Sequence, residues 1–512
     1  VSSETGVHGL RWFDKKLQAK DTNGDWQDIT TGSSGLAPKD VSDLSASAGN
    51  TQVTVLWSDP ADSVIEGVTL SKWAGSKLVR KEGAYPTNVT DGVLLVDNKT
   101  RDTYKTAGYV DAGLTNGTTY YYAVFPYSDT GAVNANETNR VSATPQAYVK
   151  YGVRWHKNQS SPALERLYDS ADFTFSATNG ATAGYSDFDG KPIYKDMKLC
   201  NVQSGAVTAY EGEAGFTRDG TNGDVCVEIP KFYYQVTDTT DYRDYVISDG
   251  PLDGFLVAPR HSACGDYPNG LDKIWVGAYE STSGYKSISG AAPLVNLTRA
   301  QFRAGFAGRG AGYCQADWAT QFELMILFIV ETASFDSQSI VGNGNVDTSA
   351  AINIGGSDSV PGMTGCADKA SQSIAVKYRG LENLWGNVYE WRDGINFNEG
   401  LIYVCTNTSK YADDTATNYA QAGYSKVQSD GYISNTGFDS ELPWVQIPTA
   451  ASGSATTYFC DYYYYSTTWR VACVGGVWGF GSDAGLFYLN SSNNSSGVNF
   501  RIGSRLLILP KS

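Results

Sequence analysis

Along most of the chain apolar positions alternate with polar ones, and helical spacing is rare, which predicts a strand-rich protein with few helices. Leu10 to Phe13 and Lys16 to Ala19 flank a charged bend, and Asp21-Thr22-Asn23-Gly24-Asp25-Trp26 carries a hairpin turn signal. Residues 1–36 are therefore expected to form a short β unit closed by the linker Thr31-Gly32-Ser33-Ser34-Gly35-Leu36. Over residues 37–146 the alternation is that of a sandwich. Val53, Val55 and Trp57 face one way before Ser58-Asp59-Pro60 breaks the strand, and the Gly113 to Thr119 turn leads into Tyr120-Tyr121-Tyr122-Ala123-Val124-Phe125. Beyond residue 147, strands are predicted at Val225 to Tyr234 and Lys273 to Tyr279. Between Asp317 and Glu331, Trp318, Phe322, Met325, Ile326 and Ile329 share one helical face, and much of the opposite face is apolar too, so this helix is expected to be deeply packed. Thr298 to Phe306 forms a second candidate helix with Asn296 as its cap. One or two helices among many strands make the region 147–512 an α+β domain.

Composition narrows the classes. At 512 residues the chain exceeds one ordinary core, which points to two to four domains. Hydrophobic residues at 41%, charged residues at 18% and 34 tyrosines describe a folded, extracellular-type protein and exclude a disordered one. A net charge of −15 without any Lys/Arg run argues against nucleic acid as a partner. The eight cysteines are scattered and lack a CxxC, and His8, His156 and His261 lie far apart, so no zinc site is expected. Cysteines spaced this way read as small buried apolar residues more readily than as a disulfide framework. Asp21, Asn23 and Asp25 have the spacing of a calcium loop but lack its bidentate Glu. Asp219, Asn222 and Asp224 fit an Asx-rich turn, so no metal and no cofactor is assigned. The longest apolar run, Leu324 to Val330, is too short to span a bilayer, and membrane insertion is not expected. The first residues show no charged-then-apolar secretion signal, so an extracellular role implies another route of release.

Four sets of motifs add resemblances. Trp57, Leu114 and Tyr120/Tyr122 give residues 37–146 a close resemblance to a fibronectin type III domain, which implies a spacer. Gly386-Asn387-Val388-Tyr389-Glu390-Trp391 reads as a Gly-Asn turn entering a strand with its aromatics inward. It resembles the signature of the formylglycine-generating-enzyme branch of C-type-lectin folds, with Tyr389 in place of a Trp. The frame Gly475-Gly476-Val477-Trp478, Ala484-Gly485-Leu486-Phe487 and Gly503-Ser504-Arg505-Leu506-Leu507 closely resembles the variable proteins of diversity-generating retroelements. Gly6 to Arg11 and Tyr151 to Arg154 resemble segments of phage and prophage tail fibres. The implied architecture is multidomain: an all-β fibronectin type III-like sandwich followed by an α+β C-type-lectin-like domain at 147–512, with a variable region at about 458–503.

The residues themselves point the same way. Between Tyr458 and Phe500 the chain is dominated by Tyr, Ser, Asn, Thr and Gly, with only Asp461, Arg470 and Asp483 charged. Antibody paratopes share this composition, because Tyr gives contact area with few rotors to freeze and Ser and Asn give adaptable hydrogen bonds. Tyr462, Tyr463, Tyr464 and Tyr465 cannot all face inward from one strand. The resemblance implies diversification between the frame positions, here Val477, Gly479, Phe480, Ser482, Asp483, Leu489, Ser491, Asn493, Gly497, Val498 and Phe500. These eleven and the four tyrosines are the expected ligand-binding residues, and their outward members are expected to share one exposed face. An oxidase of the formylglycine-generating type would need reactive cysteines after the Gly-Gly-Val-Trp motif, yet none follows Cys473, so no catalytic residues are expected. The expected function is host recognition by a virion tail fibre, through a bacterial cell-surface protein or glycan, with a homotrimer by analogy. The alternatives are the oxidase and a structural tail protein without a ligand.

Overall fold

The computed structural model describes residues 10–13, 16–20, 26–28, 36–65, 68–265 and 267–511. Strands dominate and helices are few. The chain divides into two compact units, Val1–Tyr148 and Val149–Ser512.

In the first unit, Leu10–Phe13, Lys16–Lys20 and Trp26–Asp28 pair as an antiparallel meander. The turn at 21–25 and the linker residues 31–35 lie outside the described residues, as does His8. Most of the remainder is two sheets closing on one core. Ser42–Gly49, Gln52–Ser58 and Tyr109–Ala112 form the first, and Trp73–Glu82, Val93–Asn98, Tyr120–Ser128 and Arg140–Ala143 the second. Val53, Val55 and Trp57 from one sheet meet Leu78, Tyr120, Tyr122 and Val124 from the other, so the period-two alternation places them as the sequence predicts. The Tyr120 hydroxyl accepts the Thr115 backbone N–H at 3.1 Å, tying the strand to its own entry turn. Tyr122 donates to Asp111 at 2.9 Å, and Arg80 holds the same carboxylate at 2.8 Å.

The second unit is built on one large sheet. Its main strands are β1 (Lys198–Gln203), β2 (Asp224–Pro230), β3 (Lys273–Glu280), β4 (Tyr389–Asn398), β5 (Tyr462–Tyr465), β6 (Arg470–Gly475), β7 (Gly485–Asn493) and β8 (Ile502–Ile508). Their spatial order is β1-β2-β3-β8-β4-β6-β7-β5. The last strand in sequence is therefore central, antiparallel to β3 and parallel to β4. A second sheet joins Lys150–His156 to Glu165–Tyr168 and Tyr242–Ser248, and continues through Tyr233–Asp238 to Leu256–Val257. The stretch Val225 to Tyr234, expected as one strand, is two. β2 ends at Pro230, which has no N–H to continue a ladder, and Tyr233 starts a strand of the other sheet.

The two longer helices of this unit are α1 (Arg299–Ala307) and α2 (Trp318–Thr332). All of α2 is buried, as its two apolar faces predict. Asp317 caps it by accepting the Thr320 N–H at 2.8 Å, and the Arg166 guanidinium satisfies the Val330 and Glu331 carbonyls at its other end. The cap of α1 is Thr298, not Asn296. Thr298 and Gln301 form a reciprocal capping box, whereas Asn296 sits two residues earlier in a left-handed turn at φ 64°.

Leu324, Trp385, Trp391, Trp478 and Leu506 are all buried. Beneath them lies a charged knot: Glu390 meets Arg505 at 2.5 Å and Arg392 at 2.7 Å. Burial opposes its charge, but the two guanidinium groups outweigh that and hold the Glu390 carboxyl below its ordinary pKa.

Candidate binding surface

The aromatic segment Tyr462–Tyr465 becomes β5, between β7 and the short end strand Gly431–Tyr432, parallel to β7 with Tyr463 opposite Leu489 and Tyr464 opposite Asn490. Because side chains alternate, this register sends Tyr462, Tyr464, Tyr488 and Asn490 to one face and Tyr463, Leu489 and Ser491 to the other. On the first face the rings form a chain. Tyr432, from a short strand paired with β5, meets Tyr462 edge-on at 5.0 Å, and Tyr462 meets Tyr464 at 4.8 Å. Tyr464 reaches Phe480 at 6.0 Å, and Phe480 packs edge-on against Tyr389 at 5.5 Å. Tyr389 and Tyr488 make the buried floor, their rings stacked at 5.5 Å and their hydroxyls 3.0 Å apart.

Hydrogen bonds fix the rim. The Tyr432 hydroxyl donates to Asp483 at 2.6 Å and lies 3.1 Å from the Ser482 hydroxyl, so the turn after Phe480 is tied to the ring chain. Burial and the Asp483 carboxylate push the Tyr432 phenol up to about 12, and burial raises Tyr462 and Tyr464 as well. At neutral pH these groups are neutral hydroxyls on apolar rings. A second cluster adjoins Phe480 along the chain. Trp478 lies 6.1 Å from Phe500, with the Arg501 guanidinium 4.4 Å from the Trp478 ring. Phe500 is 57% exposed and Val498 59%.

The fifteen expected residues therefore divide. Tyr462, Tyr464 and Phe480 lie together in the ring chain, with Asp483 and Ser482 at its rim. Gly479, Ser482, Val498 and Phe500 are exposed, while Tyr465, Asn493 and Gly497 are partly buried. Tyr463, Val477, Leu489 and Ser491 are buried and present nothing to a ligand. The alternation decides three of these. Tyr463 and Ser491 turn to Lys426, whose Nζ donates to Ser491 at 3.1 Å, and Leu489 enters the core. Val477 packs beneath Trp478 in the smaller core cluster. The four tyrosines thus split by alternation, and Tyr465 covers Lys426 with its ring at 4.0 Å.

Sequence reasoning missed Tyr432, Tyr389, Tyr488, Asn490 and Arg501. One signal was available for Tyr389: it replaces a Trp in the Gly-Asn-Val motif, and its hydroxyl meets Tyr488 where an indole has none. The polar loop after β7 is anchored, since Ser495 donates to Asp414 and the Asn296 N–H donates to the Asn499 carbonyl at 3.1 Å.

The other candidate chemistries are also placed. All eight cysteines are unpaired; Cys264 and Cys314 are partly exposed and the other six buried. Burial raises the Cys473 thiol well above its ordinary pKa. Asp224 is engaged by Arg309 at 2.6 Å, Asp219 accepts the Thr221 N–H, and Asn222 donates to the Gly215 carbonyl, so that loop is an Asx-turn network. Among the described residues no group of three His, Cys, Asp or Glu side chains is arranged to hold a metal ion. His156 contacts Glu165 at 2.8 Å and His261 contacts Glu323 at 3.3 Å.

No family model matches the chain, and no curated protein matches it. Among solved structures, a similarity extends to the Major Tropism Determinant U1 variant at 10% identity, covering 84% of this chain and 96% of that one with a TM-score of 0.24. The I1 variant matches at 10% identity over 84% of this chain and 96% of that one, with a TM-score of 0.25. Superposition this loose transfers no fold.

Proposed function

We propose that this chain is a non-enzymatic recognition protein that binds a cell-surface protein or glycan through the Tyr432, Tyr462, Tyr464 and Phe480 face. The observation that carries this is the continuity of the four rings above the buried Tyr389–Tyr488 floor. Rings held by neighbouring rings lose little freedom on binding, so contact area is gained at low entropic cost. Tyr and Trp are also the residues that dominate binding hot spots. Burial holds the Cys473 thiol in its protonated form, so this cysteine does not serve as a nucleophile.

The finer reading rests on the sequence resemblances. The second unit is a C-type-lectin-like domain with a variable region at about 458–503. The two-sheet part of the first unit is a fibronectin type III-like spacer, which the Tyr120 to Thr115 tie supports. The protein serves as a host-recognition component of a phage tail fibre, located in the virion, with a bacterial surface molecule as its partner. Linked copies, as in a homotrimer, raise the effective concentration of modest sites.

The test is cell binding across a panel of bacterial hosts by the full chain and by Tyr464→Ser and Phe480→Ser. Loss of binding with retained folding supports the reading. Parent-level binding by both variants refutes it. Light scattering that returns a monomer removes the homotrimer.

A further inference from the structure

A second site of different chemistry lies on the other side of the large sheet's order, beside β1 and β3. Arg218, Asp358, Glu211 and Lys377 line a cavity of about 200 Å³, with Leu199 and Met363 as apolar wall. None of these residues belongs to the aromatic face. Arg218 donates to the Tyr279 hydroxyl at 2.9 Å and to Asp358 at 3.2 Å, and it also pairs with Glu211. Tyr279 and Ser289 each donate to Asp358 at 2.5 Å, which fixes that carboxylate. Lys377 is only 8% exposed, yet among the described residues its ammonium has a single acceptor, the Val360 carbonyl at 2.6 Å. An ammonium has three donors, so two lack a partner among the described residues in a place where unmet donors are costly. Burial and the charge of Arg218 lower the Lys377 pKa, as two cations in one confined space require.

The charge balance selects the ligand. Two cations and two carboxylates line the cavity, so an ion of either sign meets a like-charged pair. An uncharged molecule rich in hydroxyls suits it, because each hydroxyl both donates and accepts. Glu211, 45% exposed, offers acceptor lone pairs at the mouth, and Lys377 offers donors at depth. The volume falls below the roughly 300–1,000 Å³ of drug-sized sites, which limits the occupant to about one sugar ring. We infer that this cavity binds one uncharged monosaccharide unit, its hydroxyls bridging Glu211 and Lys377 and its apolar ring edge against Leu199 and Met363.

Saturation-transfer NMR on the full chain tests this with D-glucose, D-galactose, D-mannose, L-rhamnose and N-acetyl-D-glucosamine as probes. Inorganic phosphate and D-glucuronate serve as charged competitors. At least one uncharged sugar is expected to bind, about tenfold more weakly in Lys377→Met and in Glu211→Gln, the loss of one charge-assisted hydrogen bond. Glu211→Gln changes an exposed side chain and keeps the fold, so it carries the test even where Lys377→Met unfolds. Phe480→Ser is expected to bind the sugar as the parent does, which separates this site from the aromatic face. The inference is overturned by silence from all five sugars, by unchanged binding in Glu211→Gln, or by displacement of the sugar by phosphate or glucuronate. It is equally overturned if Phe480→Ser abolishes sugar binding.

Discussion

Replacing Phe480 with Ser and Phe500 with Ser should affect stability unequally and binding alike. Phe480 is partly buried, with three ring neighbours: Tyr389 at 5.5 Å, Tyr464 at 6.0 Å and Tyr488 at 6.1 Å. Full burial of a Phe is worth about 1.5–3 kcal/mol, and an aromatic pair adds about 0.5–1.5 kcal/mol. For a partly covered ring the loss should be about 2 kcal/mol, a fall in melting temperature of about 3 °C for a unit this large. Phe500 is 57% exposed, with one ring neighbour, Trp478. Its loss should stay within about 0.5 kcal/mol, or about 1 °C. Trp478→Ala, a buried reference, should cost about 3–5 kcal/mol and about 4–7 °C. Truncating a binding hot spot costs about 2 kcal/mol or more, roughly thirtyfold in affinity. The assay is a thermal melt of each full-length variant paired with host-cell binding. If Phe500→Ser melts as low as Trp478→Ala, or if both Phe variants bind as the parent does, the surface has been misread.

Glu390→Gln should destabilise by about 3–5 kcal/mol in chemical denaturation, because Arg505 and Arg392 stay buried without their carboxylate. Thr298→Ala should cost about 1 kcal/mol in the same assay, while Asn296→Gly, which suits the left-handed backbone, should cost almost nothing. Lys426 carries a pH signature: burial, then repulsion from Arg470, lowers its pKa from 10.5 to about 7. Between those values the unfolded chain binds more protons than the native one, so this group's contribution to stability rises with pH from about 7 to 10. The melting-temperature difference between Lys426→Met and the parent should therefore be more favourable to the variant at pH 6 than at pH 9, and a flat difference refutes the lowered pKa.

Legibility in the sequence followed the physics of each element. Val53, Val55 and Trp57 were readable because alternation alone sets which residues face a core, and α2 because an acidic cap precedes an almost wholly apolar run. At the surface the period was equally plain, but its phase was not. Leu489 and Ser491 were expected outside, yet the pairing of Tyr463 with Leu489 puts Tyr488 and Asn490 on the ring face instead. A shift of one residue exchanges the whole set, and only the parallel register with β5 fixes it. Tyr432 lies thirty residues before its partner Tyr462, so no local pattern reveals it. Phe480 was legible as an oddity, a bulky ring among glycines and serines.

The central position of β8 has a consequence for how such a surface tolerates change. Every residue of the ring face precedes Ile502 in the chain, yet β3 and β4 have no common neighbour until Ile502–Ile508 lies between them. A nonsense codon or frameshift anywhere in 458–501 removes that strand, leaves two long edges and takes Arg505 away from Glu390, which keeps only Arg392. Missense changes on the face leave the strand intact. The architecture thus acts as a proofreader of reading frame: truncated products fail to fold, while substituted ones are admitted.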